Sequence, residues 1–159
     1  MAVDKSVIKS TYPLPSYNYR VTVLKDGESL VVGFSEVSGL QVEYEPVSYV
    51  HGLSFKLGGR IIPGKRQQIK ITLKRGVAKG NDFLQSWFSG VYTDPFFASA
   101  KRDILIDLCD ESGTPVVRWT VTGALPIKLE ASNFAAESND IAIETLELVA
   151  HRLNVNYNP

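Results

Sequence analysis

The segment RQQIKITLKRG (66–76) puts Ile69, Ile71 and Leu73 on one side of an extended chain, and Gln68, Lys70, Thr72 and Lys74 on the other. Such two-residue alternation recurs along most of the sequence and restricts the fold more than any other feature. It appears in YNYRVTVLKDGESLVVGFSEV (17–37), where Asp26-Gly27 supplies a two-residue hairpin turn between two strands. It continues through LQVEYEPVSYV (40–50), with Gly39 placed to break or bulge the run and Pro46 to bend it. RDILIDLCD (102–110), VVRWTVTGALPIKLEAS (116–132) and DIAIETLELVAHRL (140–153) complete a set of about seven strands, several of them long. DFLQSWFSG (82–90) departs from this pattern. It spaces Phe83, Leu84, Trp87 and Phe88 along one helical face, with Asp82 and Gln85 as a capping-box pair and Gly90 as a stop. Residues 91–100 then read as a loop.

A chain of 159 residues is one domain with room for a real core. The pattern predicts a mainly β fold, an antiparallel sandwich or barrel with one packed α-helix. Residues 1–16, polar and carrying Pro13 and Pro15, read as an arm before a single domain spanning 17–155. HGLSFKLGGRIIPGK (51–65) contains four glycines and a proline and reads as a long loop or ribbon. No apolar run reaches membrane-spanning or signal-peptide length, and Cys109 has no second cysteine to pair with, so a reducing cytosol is the expected site of folding. Lys plus Arg equals Asp plus Glu at 17 each, which gives no basic excess for nucleic acid and no net repulsion against self-association.

The sequence offers little catalytic chemistry. Gly59 and Gly64-Lys65 match a phosphate-loop spacing, but Arg66 stands where Ser or Thr is needed and a strand follows instead of a helix. His51 and His151 have no metal-ligand spacing to other donors, and Cys109 sits in a half-buried strand. Asp103 and Asp107 share a strand face, where such pairs are usually solvated. The expectation is a non-enzyme with no metal and no cofactor. What stands out is long strands with one wet face, whose edges need closing, capping or use.

The segments FSEVSGLQVEYE (34–45), PGKRQQIKITLKRG (63–76), FLQSWF (83–88), RDILIDLCDESGTPVVRWTVTGALPIKLE (102–130) and ESNDIAIETLELVAHRL (137–153), in this order, resemble the tube proteins of contractile phage tails and phage-tail-like extracellular injection systems. The chain is also similar in fold to the ring-forming, Hcp-like tube protein of type six secretion. The tip YVHGLSF is less acidic and less glycine-rich than the family pattern. The resemblance implies a barrel or sandwich that joins edges into a homo-hexameric ring, with rings stacking into a hollow tube. It implies assembly in the bacterial cytoplasm, a surrounding sheath protein, baseplate and spike proteins, and cargo effector proteins or phage DNA in the lumen.

On that basis Gln41, Glu43 and Glu45, then Gln68, Lys70, Thr72 and Lys74, then Lys128, Glu130 and Ser132, are expected to face the lumen. Leu40, Val42 and Tyr44 are expected to pack inside the subunit, and the mixed charge to limit sticking of cargo. His51, Leu53, Phe55, Leu57, Ile61 and Ile62 form the predicted ring-stacking loop; the competing reading folds that loop back on its own barrel. Two other functions differ in class. A ligand-binding barrel requires an apolar cavity in a monomer. A carbohydrate-binding sandwich would use Tyr17, Tyr19, Tyr44, Tyr49 and Tyr92.

Overall fold

The computed structural model describes residues 10–93 and 101–159. Among them are ten strands and two helices: β1 (Tyr19–Lys25), β2 (Glu28–Val32), β3 (Glu36–Ser38), β4 (Tyr44–Tyr49), α1 (Ser54–Leu57), β5 (Arg60–Arg66), β6 (Ile69–Gly76), α2 (Phe83–Thr93), β7 (Arg102–Cys109), β8 (Pro115–Ala131), β9 (Ile143–Ala150) and β10 (Arg152–Tyr157). Every strand pairing is antiparallel. The Asp26-Gly27 turn forms as expected. Both residues take positive φ, 49° and 83°, the geometry a tight hairpin requires, and Lys25 lies opposite Glu28.

The strands form two layers joined by one long strand. Sheet A runs β2–β1–β7–β8–β10 and uses the first half of β8; sheet B runs β3–β6–β9–β8 and uses the second half. The 17-residue β8 changes sheets near Gly123, whose φ is +67°. The chain also crosses at this corner between β9 and β10. His151 separates them, its N–H donates to the Thr122 carbonyl at 3.0 Å, and a Cβ on Gly123 would lie 3.3 Å from that of His151. Residues 140–153, read from sequence as one strand, are therefore two strands in different sheets. The apolar phase shifts across the corner, from Leu146 and Leu148 to Leu153, with Arg152 exposed; that shift marks the break in sequence, and the tertiary pairing shows that it moves the chain to the other sheet.

Inward side chains from both sheets fill the space between them. Val21, Val23, Ile104, Ile106 and Val121 come from sheet A, and Ile71, Leu73, Leu146 and Leu148 from sheet B. Helix α2 adds Leu84, Trp87 and Val91, all buried, while Phe83 and Phe88 are half-buried against the same cluster. The helix runs past Gly90 to Thr93, so the expected loop over 91–100 is helical at its start; the remainder lies outside the described residues. Gln85 does not cap: its Nε2 donates along the helix to Ser89 Oγ at 3.1 Å. Tyr92 OH donates to the Pro126 carbonyl at 3.0 Å and ties the helix to β8. Arg102 lies over the rings of Phe83 and Trp87, 5.3 and 4.9 Å from their centroids, and burial lowers its pKa.

Two expectations about residues 36–65 need correction. The chain breaks at Gly39 as expected, but the strand expected through 40–50 starts late: β3 ends at Ser38, residues 39–43 are not strand, and β4 begins at Tyr44. Gly39 takes φ +85° and brings its backbone against the Lys70 carbonyl, a turn that ends the pairing with β6. Of the two forms expected over 51–65, a long loop or a ribbon, the second half is ribbon, because β5 pairs with β4, Val47 opposite Ile62 and Tyr49 opposite Arg60. With helix α1 at its tip, the β4–β5 hairpin stands clear of the sandwich, exposed on both faces. Leu40 packs on the core as expected, but Val42 and Tyr44 are 46% and 56% exposed, since no second sheet lies beneath them. The arm over 1–16 lies outside the described residues as far as residue 9.

Candidate functional site: the outer face of sheet B and its hairpin

Because opposite residues in an antiparallel pair project to the same side, the ladder registers define the outer face of sheet B. Thr72 lies opposite Glu147, and Glu147 opposite Lys128; Lys74 lies opposite Thr145, and Thr145 opposite Glu130. Strand β3 adds Glu36 opposite Lys74 and Ser38 opposite Thr72, while Lys70 pairs with Val149. The inner face of the same strands holds Ile71, Leu73, Leu146 and Leu148. Hydrophobic burial therefore fixes the orientation of the polar face: a one-residue slip of β6 would place Lys70 and Lys74 in the core.

Lys70, Lys74 and Lys128 are balanced on this face by Glu36, Glu130 and Glu147. Lys74 Nζ lies 3.1 Å from Glu36 Oε2, and Lys128 Nζ 3.0 Å from Glu130 Oε2. A hydrogen bond and charge from Glu130, with charge from Glu147, raise the Lys128 pKa, so this lysine remains charged throughout the neutral range.

Of the ten residues expected to share a polar surface, the structure places Lys70, Thr72, Lys74, Lys128 and Glu130 on one ladder. Gln41 and Glu43 lie on the β3–β4 connection, Glu45 on β4 and Gln68 between β5 and β6. Gln67 joins these strands through its N–H to the Glu43 carbonyl at 2.7 Å and its side chain to Glu45 at 3.3 Å. Ser132 Oγ instead accepts the Ile143 N–H at 3.0 Å and closes the β8–β9 loop. Glu36, Thr145 and Glu147 also lie on this face, outside the set expected from sequence. The alternation TLEL carried the signal for the last two, but their face is set only by pairing with β6.

The edges of sheet B are sparsely paired. Strand β3 covers Thr72, Leu73 and Lys74 of β6. On the other side, the β7 ladder stops at Ala124, so Leu125–Ala131 has β9 as its one strand partner among the described residues. The hairpin is the second unpartnered feature. Leu53, Phe55, Leu57, Ile61 and Ile62 are exposed, Phe55 by 79%, and His51 Nδ1 accepts the Leu53 N–H at 3.1 Å.

The catalytic candidates acquire structural roles. Asp107 is buried, correcting the expected solvated pair. Arg118 donates to it through Nε at 2.6 Å and Nη2 at 3.0 Å, and Arg20 Nη2 lies 3.4 Å away. Burial pushes the Asp107 carboxyl up, but hydrogen bonding and charge from Arg118 and Arg20 outweigh it and hold the pKa below its ordinary value. Asp103 Oδ1 accepts the Gly123 N–H at the sheet corner. Residues 59–66, the phosphate-loop match, lie largely in β5. Among the described residues no cluster of three or more His, Cys, Asp or Glu is placed to hold a metal.

The model of the T4-like virus tail tube protein gp19 family matches residues 15–154. The chain belongs to this tail tube family. A solved chain from the extended sheath–tube complex of a PVC extracellular contractile injection system is 32% identical over 98% of this chain and 99% of its own, with a TM-score of 0.84. One from the tube-terminating cap of the anti-feeding prophage is 32% identical over 99% and 95%, with a TM-score of 0.80. The SPP1 tail tube shares the fold at 11% identity, with a TM-score of 0.60 over 92% of this chain and 80% of its own. No curated protein matches by sequence. This is a tail tube protein of contractile injection systems and phage tails, a structural protein and not an enzyme.

Proposed function

We propose that six copies of this tail tube protein join into a ring, that the outer face of sheet B lines the ring's lumen, and that rings stack through the β4–β5 hairpin. The observation carrying this reading is a sheet with an apolar inner face, a charge-balanced outer face and two incompletely paired edges. Joining the Leu125–Ala131 edge of one copy to the β3–β4 side of the next would satisfy backbone groups left to solvent and continue the polar face around a bore. Gln41, Glu43, Glu45, Gln68 and Ser132 then lie at the margins of that face, near the subunit boundary. Sheet A, with its Arg20–Asp107–Arg118 rung, faces outward toward a sheath; cargo passes along sheet B. The chain folds and assembles in the cytoplasm before joining baseplate and spike.

The alternatives find less support. The concavities at the β1–β2 turn, about 420 Å³, and in the β8–β9 loop, about 1010 Å³, are lined by a turn with the adjoining strand ends and by loop residues, and do not lie between the sheets, as a ligand-binding barrel would require. Three of the five tyrosines of the carbohydrate reading are engaged separately: Tyr19 OH donates to the Phe34 carbonyl, Tyr92 OH to that of Pro126, and the Tyr49 ring lies tilted beside His51 at 5.9 Å.

Negative-stain electron microscopy of the purified chain across a concentration series tests assembly. Six-fold rings and stacked tubes are expected; monomer-sized particles at every concentration refute it. Deleting residues 50–62 is expected to leave rings and abolish tubes, and persistence of tubes would remove the hairpin from the stacking contact.

A further inference from the structure

We propose that the β8–β9 loop, residues 132–142, is the socket that receives the β4–β5 hairpin of a second copy. The inference rests on the tube reading above and identifies a surface that reading leaves open. Strand β6 shows that the two features lie at opposite ends of sheet B. The hairpin enters β6 at Ile69, paired with Ala150, whereas the loop enters β9 at Ile143, paired with Gly76. An eight-residue strand separates them by about 25 Å at ~3.3 Å per residue. A projection at one end and its receptor at the other make a head-to-tail contact, which propagates along an axis when copied.

The loop is organised without being filled. Ser132 N–H donates to the Ile143 carbonyl at 2.8 Å, Ser138 Oγ to Asp140 Oδ2 at 2.7 Å, and Val77 N–H to the Ala142 carbonyl at 2.9 Å. These bonds hold open a concavity of about 1010 Å³ lined by Phe134, Ala135, Ala136, Ile141 and Ala142, with Phe134 80% and Ile141 75% exposed. Small alanines beside two large apolar side chains make a receptor for apolar knobs, and the hairpin tip offers Leu53, Phe55 and Leu57.

Charge selects the same pairing. The tip, residues 49–60, carries Lys56 and Arg60 and no carboxylate; the loop carries Glu137 and Asp140 and no Lys or Arg. A chain with zero net charge thus places opposite charges at the two ends of one sheet. Opposed orientation, apolar fit and complementary charge together identify the occupant as another copy of this chain.

Chains carrying Phe55→Cys and Ala136→Cys, each with Cys109→Ala, are mixed and treated with a short bismaleimide linker. The expected result is a cross-linked heterodimer at least about tenfold above a control in which Ser112→Cys replaces Ala136→Cys. In parallel, Lys56→Glu with Arg60→Glu is expected to raise the concentration needed for tubes by about tenfold, the effect of ~1.4 kcal/mol. Adding Glu137→Lys and Asp140→Lys is expected to restore it. Tubes that form normally but give no cross-link above control and ignore charge reversal would overturn the socket, leaving the tube reading standing. That result is also the one expected if another tail component fills the loop. Wild-type chain giving neither rings nor tubes, together with no cross-link between the cysteine variants, would overturn both.

Discussion

Gly39 and Gly64 allow one perturbation to be made in two settings. An alanine Cβ at Gly39 would lie 2.1 Å from the Lys70 carbonyl oxygen, and at Gly64 2.0 Å from that of Glu45. Real Cβ atoms essentially never approach closer than 3.0 Å, so backbone must move by about 1 Å at either site. Gly39 also holds φ at +85°, where an L side chain costs about 1–2 kcal/mol. Displacing a packed strand adds about 1–3 kcal/mol. Lys70 lies between Ile69 and Ile71, both buried, so Gly39→Ala strains the core directly. The total of about 2–5 kcal/mol corresponds to a Tm lower by about 5–15 °C for a domain of this size. Gly64→Ala meets an equal overlap inside a hairpin exposed on both faces, and its core-unfolding Tm is expected to move by less than about 2 °C while tubes fail to form. Thermal melts followed by near-ultraviolet circular dichroism, at concentrations where the chain is monomeric, read the first effect; electron microscopy reads the second. Equal Tm losses in the two variants would refute the separation of hairpin from core, and an unchanged Tm for Gly39→Ala would refute the close approach of Gly39 to β6.

Leu148→Ala, at a fully buried position between sheet B and the opposing layer, is expected to cost about 3–5 kcal/mol in denaturant unfolding. Asp107→Ala leaves Arg118 and Arg20 facing each other without their carboxylate; since the two arginine side chains are 31% and 42% exposed, we expect a loss of about 2–3 kcal/mol rather than the full value for a buried pair. The same group gives a pH signature. Its folded pKa lies below the unfolded value of about 3.9, so its stabilisation is complete above that value and declines as pH falls through the folded pKa. Wild type is therefore expected to lose stability below about pH 4 more steeply than Asp107→Asn, and parallel acid titrations would contradict the ion-pair assignment. Reversing Glu130 and Glu147 to lysine is expected to leave rings intact while slowing passage or loading of cationic cargo; unchanged loading would count against a lumenal sheet B.

Sequence alone determined the elements whose cause is local. Alternation at 66–76 settled which side of β6 is buried, because a strand has two faces and only one bears Ile69, Ile71 and Leu73. Asp26-Gly27 specified its turn through positive φ. The spacing of Leu84 and Trp87 placed the helix on the core, although Gly90 hid Val91, since neighbouring packing carries a helix past one glycine. The order of five segments was enough to suggest the tube family. Features that depend on distant partners were decided only by the tertiary structure. The apolar phase of 140–153 shifts between Leu148 and Leu153, but the shift does not say where the chain goes; the strand divides at His151 because β8 turns the same corner at Gly123. The polar face was half visible: β6 and β8 supplied recognised residues, but Glu147 joined them only through the register between Lys128 and Thr72. Val42 and Tyr44 follow the pattern of a buried face and have none, because Gly39 directs β4 away from the sandwich. An alternating pattern states that a strand has two kinds of side; which of them finds a partner, within the chain or in another copy, is a property of the assembled sheets.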